Sequence, residues 1–145
     1  MLDIQPKEKV DVLKMAYQEH RKEIAYYRDN SYQVTGWVIG LHISLSAAGI
    51  FVPGNAKLLI GLFLSLAVAT TMYLHKNYTS YCDRWKHLSG VERALGFFEY
   101  SAYIDGATLL PSEKEAPSVT YKGSLFYILA VWIVSLSSCL AVWLK

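Results

Sequence analysis

Three uncharged, apolar runs decide the fold of this chain: VTGWVIGLHISLSAAGIFV at Val34–Val52, LLIGLFLSLAVATTMYL at Leu58–Leu74, and GSLFYILAVWIVSLSSCLAVWL at Gly123–Leu144. A membrane-spanning helix needs roughly 17–25 mostly apolar residues, and each run has that length. The segment Pro53–Asn55 between the first two runs (PGN) has the composition of a turn. The sequence therefore predicts an all-α integral membrane protein with three transmembrane helices, the first two forming a tight hairpin.

The composition of the 145 residues agrees with this class. Hydrophobic residues make up 53% and charged residues 18%, whereas a globular domain has about 25% charged residues. A net charge of +2 excludes the strong basic excess of a nucleic-acid-binding protein. No nucleophile elbow, phosphate-binding glycine loop or zinc-protease motif occurs. We therefore expect a protein that is not an enzyme, needs no cofactor and binds no nucleic acid.

The orientation follows from Lys and Arg, which are enriched in cytoplasmic segments. Six of them precede the first run, one (Lys57) lies between the first and second runs, six lie between the second and third runs, and one ends the chain. This alternation predicts a multi-pass protein of the bacterial inner membrane with a cytoplasmic N-terminus and an external C-terminus. The predicted parts are a cytoplasmic amphipathic helix (1–32), a transmembrane hairpin (33–75), cytoplasmic helices (76–106), a loop (107–122) and a third transmembrane helix (123–145).

The N-terminal helix carries an apolar stripe at spacings of three and four residues, which is typical of a helix that packs along one face. The stripe consists of Val10, Leu13, Tyr17, His20, Ile24 and Tyr27. It packs either on this chain's own 76–105 segment or between subunits. We expect contacts to a subunit or cytoplasmic partner from Leu13, Tyr17, Ile24, Tyr27, Tyr81 and Trp85. Asp29–Ser31 has cap chemistry and predicts a break before the first span.

The second span is expected to continue into the cytoplasm through Tyr78, Tyr81 and Trp85. The segment Ser89–Glu92 matches a capping box, which predicts that a new helix begins there. That helix would end at Asp105-Gly106. Trp132, near the middle of the third span, is expected to fill an interface between helices.

The first span has two contrasting faces. A stripe of small residues recurs every four positions at Gly36, Gly40, Ser44 and Ala48, and the second span has a shorter one at Gly61, Ser65 and Ala69. Small residues allow close helix packing in lipid, so these residues are predicted packing positions, and the simplest interpretation is that the two stripes join the hairpin.

The other face carries Thr35, His42 and Ser46, whose polar groups would be costly against acyl chains. Within one chain only the third span would then cover this face. The alternative is that it lines a pore inside an oligomeric ring.

Asp83 and His87 are four residues apart and share a helix face. A zinc site needs at least three protein ligands. His75 is too far along the helix and Cys82 lies on another side, so we expect no metal site and an ordinary Asp–His pair on the helix surface.

The layout resembles that of the SLATT group of small bacterial membrane proteins, which have an N-terminal cytoplasmic helix, a two-helix hairpin and a cytoplasmic continuation of the second span. Tyr17–Arg28, Val34–Leu74 and Tyr78–Ala102 correspond to these parts, and the third span departs from the pattern. The resemblance implies a pore-forming effector of bacterial conflict or anti-phage systems, encoded beside a sensor.

We therefore expect a homo-oligomer in the lipid bilayer that permeabilises or depolarises the membrane. The trigger would be a cytoplasmic sensor protein or a small signalling molecule acting on the cytoplasmic helices. The alternative is a membrane anchor or accessory subunit that recruits a cytoplasmic partner.

Overall fold

Three helices make up most of the chain: α1 (Pro6–Phe51), α2 (Ala56–Ala94) and α3 (Lys122–Trp143). The structure is a computed structural model that describes residues 6–51, 56–102, 105–110 and 122–144, with side chains for all of these except 6, 49–51, 122 and 123. The turn predicted at Pro53–Asn55 lies outside the described residues. The all-α class predicted from the sequence is confirmed for the described part of the chain.

Among the described residues, two helices and not the predicted three are long and apolar enough to cross a membrane: α2 and the Ser124–Trp143 part of α3. The first predicted span lies at the end of α1, and its last four residues fall outside the described side chains. That span therefore stays a prediction.

The helix α1 runs without a break through Asp29–Ser31, so the predicted cap there is wrong. Serine and asparagine end helices when their side chains bond to the local backbone. Here they are occupied elsewhere, because Asn30 donates to the Tyr73 hydroxyl over 2.6 Å and Asn77 donates to the Ser31 hydroxyl over 2.7 Å. These two bonds join α1 to α2 instead of ending α1.

The capping box predicted at Ser89–Glu92 is also wrong, since α2 continues through it to Ala94. Gly96, two residues after the last helical residue, has a φ of +74°. Its amide donates to the Arg93 carbonyl, and the Phe97 amide donates to the Glu92 carbonyl. This is a Schellman motif, in which glycine takes the left-handed position at low steric cost. In place of the helix expected to reach residue 106, the chain makes turns, and Ser101 and Leu110 donate to the carbonyls of Ala107 and Phe97.

The chain divides into two units, each with its own packing. The first, which we call the amphipathic unit, comprises Met1–Tyr27 and Thr79–Val119; the second, the apolar unit, comprises Arg28–Tyr78 and Thr120–Lys145. The boundaries in α1 and α2 fall within continuous helix, so both helices contribute to both units.

The apolar unit is a three-helix arrangement of α1, α2 and α3. Its apolar core consists of Val38 of α1, Ala67 and Leu74 of α2, and Ile128 and Val131 of α3. Trp132 donates from its indole nitrogen to the Thr71 hydroxyl over 3.0 Å, which confirms its predicted place between helices. The Thr71 hydroxyl in turn donates to the Ala67 carbonyl, so both its donor and acceptor capacity are used.

The two glycines near the end of α2 predict opposite responses to alanine. A Cβ at Gly90 would meet no atom within 4 Å, and the residue is helical, so Gly90→Ala should raise the free energy of unfolding by about 0.5–1 kcal/mol. Gly96→Ala should lower it by roughly 1–2 kcal/mol, because an L-residue is strained at a positive φ and its Cβ would lie 3.2 Å from the Glu99 carboxylate. Thermal unfolding followed by circular dichroism measures both. Shifts of the same sign would contradict this account.

Candidate functional site

Buried polar side chains are concentrated in the apolar unit, whose surface carries many large apolar side chains. Among the described residues nine polar or charged ones are buried, and all but Glu92 belong to this unit: Ser31, Thr35, His42, Thr70, Asn77, Ser124, Ser135 and Ser138. The exposed residues include Trp37, Ile43, Leu58, Met72, Phe126, Ile133, Leu140 and Trp143. So many polar groups inside and so many large apolar side chains outside are unusual for a protein folded in water, where buried polar groups are the exception.

His42 lies at the centre of this polar interior and has no exposed surface. Its ring packs nearly parallel to that of Phe63 of α2, with the centroids 5.1 Å apart. Its Nδ1 lies 2.8 Å from the Val38 carbonyl oxygen. Because a carbonyl can only accept, Nδ1 carries the hydrogen, and the neutral ring has its lone pair on Nε2. The imidazole is therefore held in one orientation and one tautomer.

Phe63 links His42 to the third helix. The Ser135 hydroxyl of α3 donates to the Phe63 carbonyl over 3.2 Å, and both residues are fully buried. The three helices thus meet at Phe63: its ring stacks on His42 of α1, and its carbonyl accepts the hydrogen bond from Ser135 of α3. The expectation that only the third span would cover the Thr35–His42–Ser46 face is wrong, because Phe63 of α2 covers His42.

Thr35 is buried and Ser46 half-buried on the same side of α1 as His42. This burial inside one chain corresponds to the interpretation of a buried histidine and not to a face open to an oligomeric ring. The Thr35 Oγ1, His42 Nε2 and Ser46 Oγ atoms have no hydrogen-bond partner among the described residues. A buried polar group without a partner costs about 1–3 kcal/mol.

The small-residue stripes lie on the outside of the apolar unit. Every member is exposed: Gly36, Gly40, Ser44 and Ala48 on α1, and Gly61, Ser65 and Ala69 on α2. A Cβ added at any of the three glycines would meet nothing within 4 Å. The interpretation that the stripes pack on each other within the hairpin is therefore wrong. The physical reason is that α1 can turn only one face inward, and burying Thr35 and His42 removes polar groups from the apolar exterior.

The α1 stripe lines the floor of a shallow groove. Gly36, Gly40 and Ser44 form its base, and Tyr32, Gln33, Trp37 and Leu41 line the rest. The Ser44 and Ser65 hydroxyls donate to the carbonyls four residues earlier, Gly40 and Gly61. The hydroxyl hydrogens of both serines are therefore bonded within their own helices, and both stripes consist of small side chains without an unpaired hydroxyl donor.

The predicted contact residues of the amphipathic unit are all buried or half-buried within the chain. The Tyr17 ring packs edge-on against Phe97 at 5.7 Å, and Ile24 is buried. Leu13, Tyr27, Tyr81 and Trp85 are half-buried, and the rings of Tyr81 and Trp85 form an edge-on pair at 6.4 Å. The stripe of α1 therefore contacts this chain's own C-terminal part of α2 and the turn after it, which corresponds to the first of the two interpretations.

A polar cluster accompanies these contacts. The rings of His20 and His87 stack at 5.8 Å, and the Glu23 carboxylate accepts from Arg84 Nε at 3.2 Å and lies 3.4 Å from His20 Nδ1. Asp83 pairs with Lys86 of the same helix at 3.5 Å, while His87 stacks on His20 of α1. These contacts take the place of the expected Asp83–His87 surface pair. No group of three or more metal-ligating side chains occurs among the described residues.

The roles of Phe63 and Thr71 were not predicted from the sequence. Phe63 is one apolar residue among many in its span and Thr71 a single threonine near the end of that span, so no spacing pattern distinguishes them. Their roles depend on which residues of α1 and α3 face them. Comparison with known protein families, with curated proteins and with solved structures finds no match to this chain.

Removing the Ser135 hydroxyl should weaken the apolar unit. Ser135→Ala leaves the Phe63 carbonyl without its α3 donor, and we expect a loss of about 0.5–1.5 kcal/mol in the free energy of unfolding. Ser137→Ala is the matched control, because Ser137 is exposed on the same helix and its loss should stay within about 0.5 kcal/mol. Unfolding in mixed micelles by SDS titration measures both. Equal effects of the two variants would refute the role assigned to Ser135.

Proposed function

We propose that the chain is a bacterial inner-membrane protein that oligomerises and, on receiving a cytoplasmic signal, permeabilises or depolarises the membrane. The observation that carries this proposal is the outward position of both small-residue stripes on a unit that buries Thr35 and His42 and exposes large apolar side chains. The membrane, the assembly and the trigger are argued in turn below.

The exterior of the apolar unit supports a lipid environment. Ile43, Leu58, Met72, Phe126 and Trp143 are each at least 60% exposed. In water such a surface would aggregate, since soluble monomers rarely expose contiguous apolar patches of more than a few hundred Å². In lipid it is the favoured surface, while the inward hydroxyls and imidazole avoid hydrocarbon.

The stripes support self-association. Within the apolar unit nothing requires the glycines, since a Cβ at Gly36, Gly40 or Gly61 would clash with nothing. Glycine in a helix interior is unfavourable by roughly 0.5–1 kcal/mol relative to alanine. Close packing of backbones across an interface between copies in lipid compensates for that cost. The groove over Gly36 and Gly40 lies on the exposed side of α1, and a second copy of the same helix is proposed to pack there.

The amphipathic unit is proposed to lie in the cytoplasm and to receive the signal. The Lys and Arg distribution supports this orientation. Its exposed apolar side chains, Val12, Met15, Tyr26 and Tyr100, offer a contact surface for a sensor protein. Because α1 and α2 continue from this unit into the apolar unit, a change in their pairing reaches the spans through the helices themselves. The layout resemblance to the SLATT group agrees with this role by analogy.

A membrane anchor or accessory subunit is the second candidate. It is favoured by the full burial of His42 under Phe63, because the polar face of α1 is closed to the outside of the unit in this conformation. An anchor would keep that face closed, whereas an effector must open a water path within or between copies.

The stripe on α1 should control assembly. Gly40→Leu places a large side chain in the groove at a position where an added Cβ meets no atom within 4 Å, so the helices should fold as before while copies no longer approach. Ala141→Leu, a similar enlargement at an exposed position of α3, is the control. Light scattering of the detergent-solubilised particle should give several copies of the 16.4 kDa chain for the unaltered protein and Ala141→Leu, and one copy for Gly40→Leu. A single copy in all three would remove the basis for assembly.

Depolarisation should follow assembly. In bacterial cells carrying a membrane-potential dye, the unaltered protein and Ala141→Leu should depolarise the membrane when the neighbouring genes supply the trigger. Gly40→Leu, at equal membrane abundance, should not. If no variant depolarises the membrane even with the trigger supplied, the effector function fails and the anchor replaces it.

A further inference from the structure

Three polar atoms on one side of α1 are buried in the apolar unit and have no partner among the described side chains and backbone: Thr35 Oγ1, His42 Nε2 and Ser46 Oγ. His42 has no exposed surface, and Thr35 is 7% exposed. The other buried hydroxyl at this level has a partner, because Ser135 donates to the Phe63 carbonyl. Elsewhere in the unit some polar side chains pair across the helices, as Asn77 does with Ser31 and Trp132 with Thr71, whereas these three atoms do not.

The chemistry of the missing partner can be read from these atoms. Since His42 Nδ1 donates to the Val38 carbonyl, Nε2 is an acceptor and needs a donor. The hydroxyls of Thr35 and Ser46 need an acceptor for their hydrogens. Ser135 has donated its only hydrogen to Phe63 and can still accept. The partner must therefore both donate and accept hydrogen bonds, and it must be small.

Water meets these requirements. The rise of 1.5 Å per residue puts the backbones of His42 and Ser46 about 6 Å apart along the axis and those of Thr35 and His42 about 10.5 Å apart, so the face is long enough for one water near His42 and Ser46 and a second near Thr35. A metal ion does not meet them, because the described residues hold no cluster of three ligands. Buried polar groups that lack protein partners are commonly satisfied by internal water with two to four contacts.

We propose that the Thr35–His42–Ser46 face binds water inside the apolar unit, with His42 Nε2 as the acceptor and the Ser46 hydroxyl as the second contact. This water site is independent of the effector function, since an anchor with the same three helices would hold it too. If the protein does conduct, the hydrated face puts the start of the water path inside each copy and not in the centre of a ring.

Solid-state NMR of the full chain in lipid vesicles, with magnetisation transferred from water protons, tests the site directly. The His42 ring and Thr35 side chain should receive water magnetisation several-fold faster than the methyl groups of Val38, which is buried one turn away on the same helix. The exposed His87 ring is the wet reference. A transfer to His42 as slow as that to Val38 would overturn the proposal.

Two serine variants test the contact. Ser46→Ala should slow the transfer to His42, because it removes one of the groups that hold the water. Ser44→Ala should leave it unchanged, because the Ser44 hydroxyl is exposed and donates to the Gly40 carbonyl of its own helix. Equal effects of the two variants would overturn the role of Ser46. The comparison of His42 with Val38 in the unaltered protein decides the site itself even if a variant fails to fold.

Discussion

The apolar unit depends on one contact, the stacking of the His42 imidazole on the Phe63 ring while the Phe63 carbonyl accepts the Ser135 hydroxyl. Through it α1, α2 and α3 share one buried level. The imidazole must be inside because the exterior is apolar, and once it is inside, α1 has only one rotation about its axis. That rotation turns Gly36 and Gly40 outward. The polar face and the small-residue face are thus two consequences of a single constraint.

Hydrogen bonds between α1 and α2 explain why α1 does not break at Asp29–Ser31. A polar side chain at the end of an isolated span would cap the helix, but here Asn30 and Ser31 bond to Tyr73 and Asn77 of α2. Bonds between helices replace bonds to the local backbone. As a result α1 remains continuous from Pro6 to Phe51. The helix α2 also continues past Ser89–Glu92, to Ala94. Long uninterrupted helices are what give a cytoplasmic signal a route to the membrane in the proposed function.

The amphipathic unit is held by a different set of forces. Tyr17 and Phe97 make an apolar contact, while His20, His87, Glu23 and Arg84 form a polar chain from α1 to α2. Partly exposed ion pairs contribute roughly 0–1 kcal/mol each, so the charged groups add only modestly to this pairing. A pairing of modest strength suits a unit that is proposed to respond to a partner.

Periodicity and charge in the sequence by themselves determined the helical class, the stripe of the N-terminal helix and the two contrasting faces of the first span, because helical spacing places residues on faces whatever their neighbours are. They could not determine which face of α1 turns inward, since that depends on the residues of α2 and α3 opposite it. The local cap signal at Asp29–Ser31 failed for the same reason: short-range propensity is overridden when a side chain finds a partner on another helix, as Ser31 does in Asn77. Only the tertiary structure decided that His42 meets Phe63 and that the glycine stripes remain free for another helix.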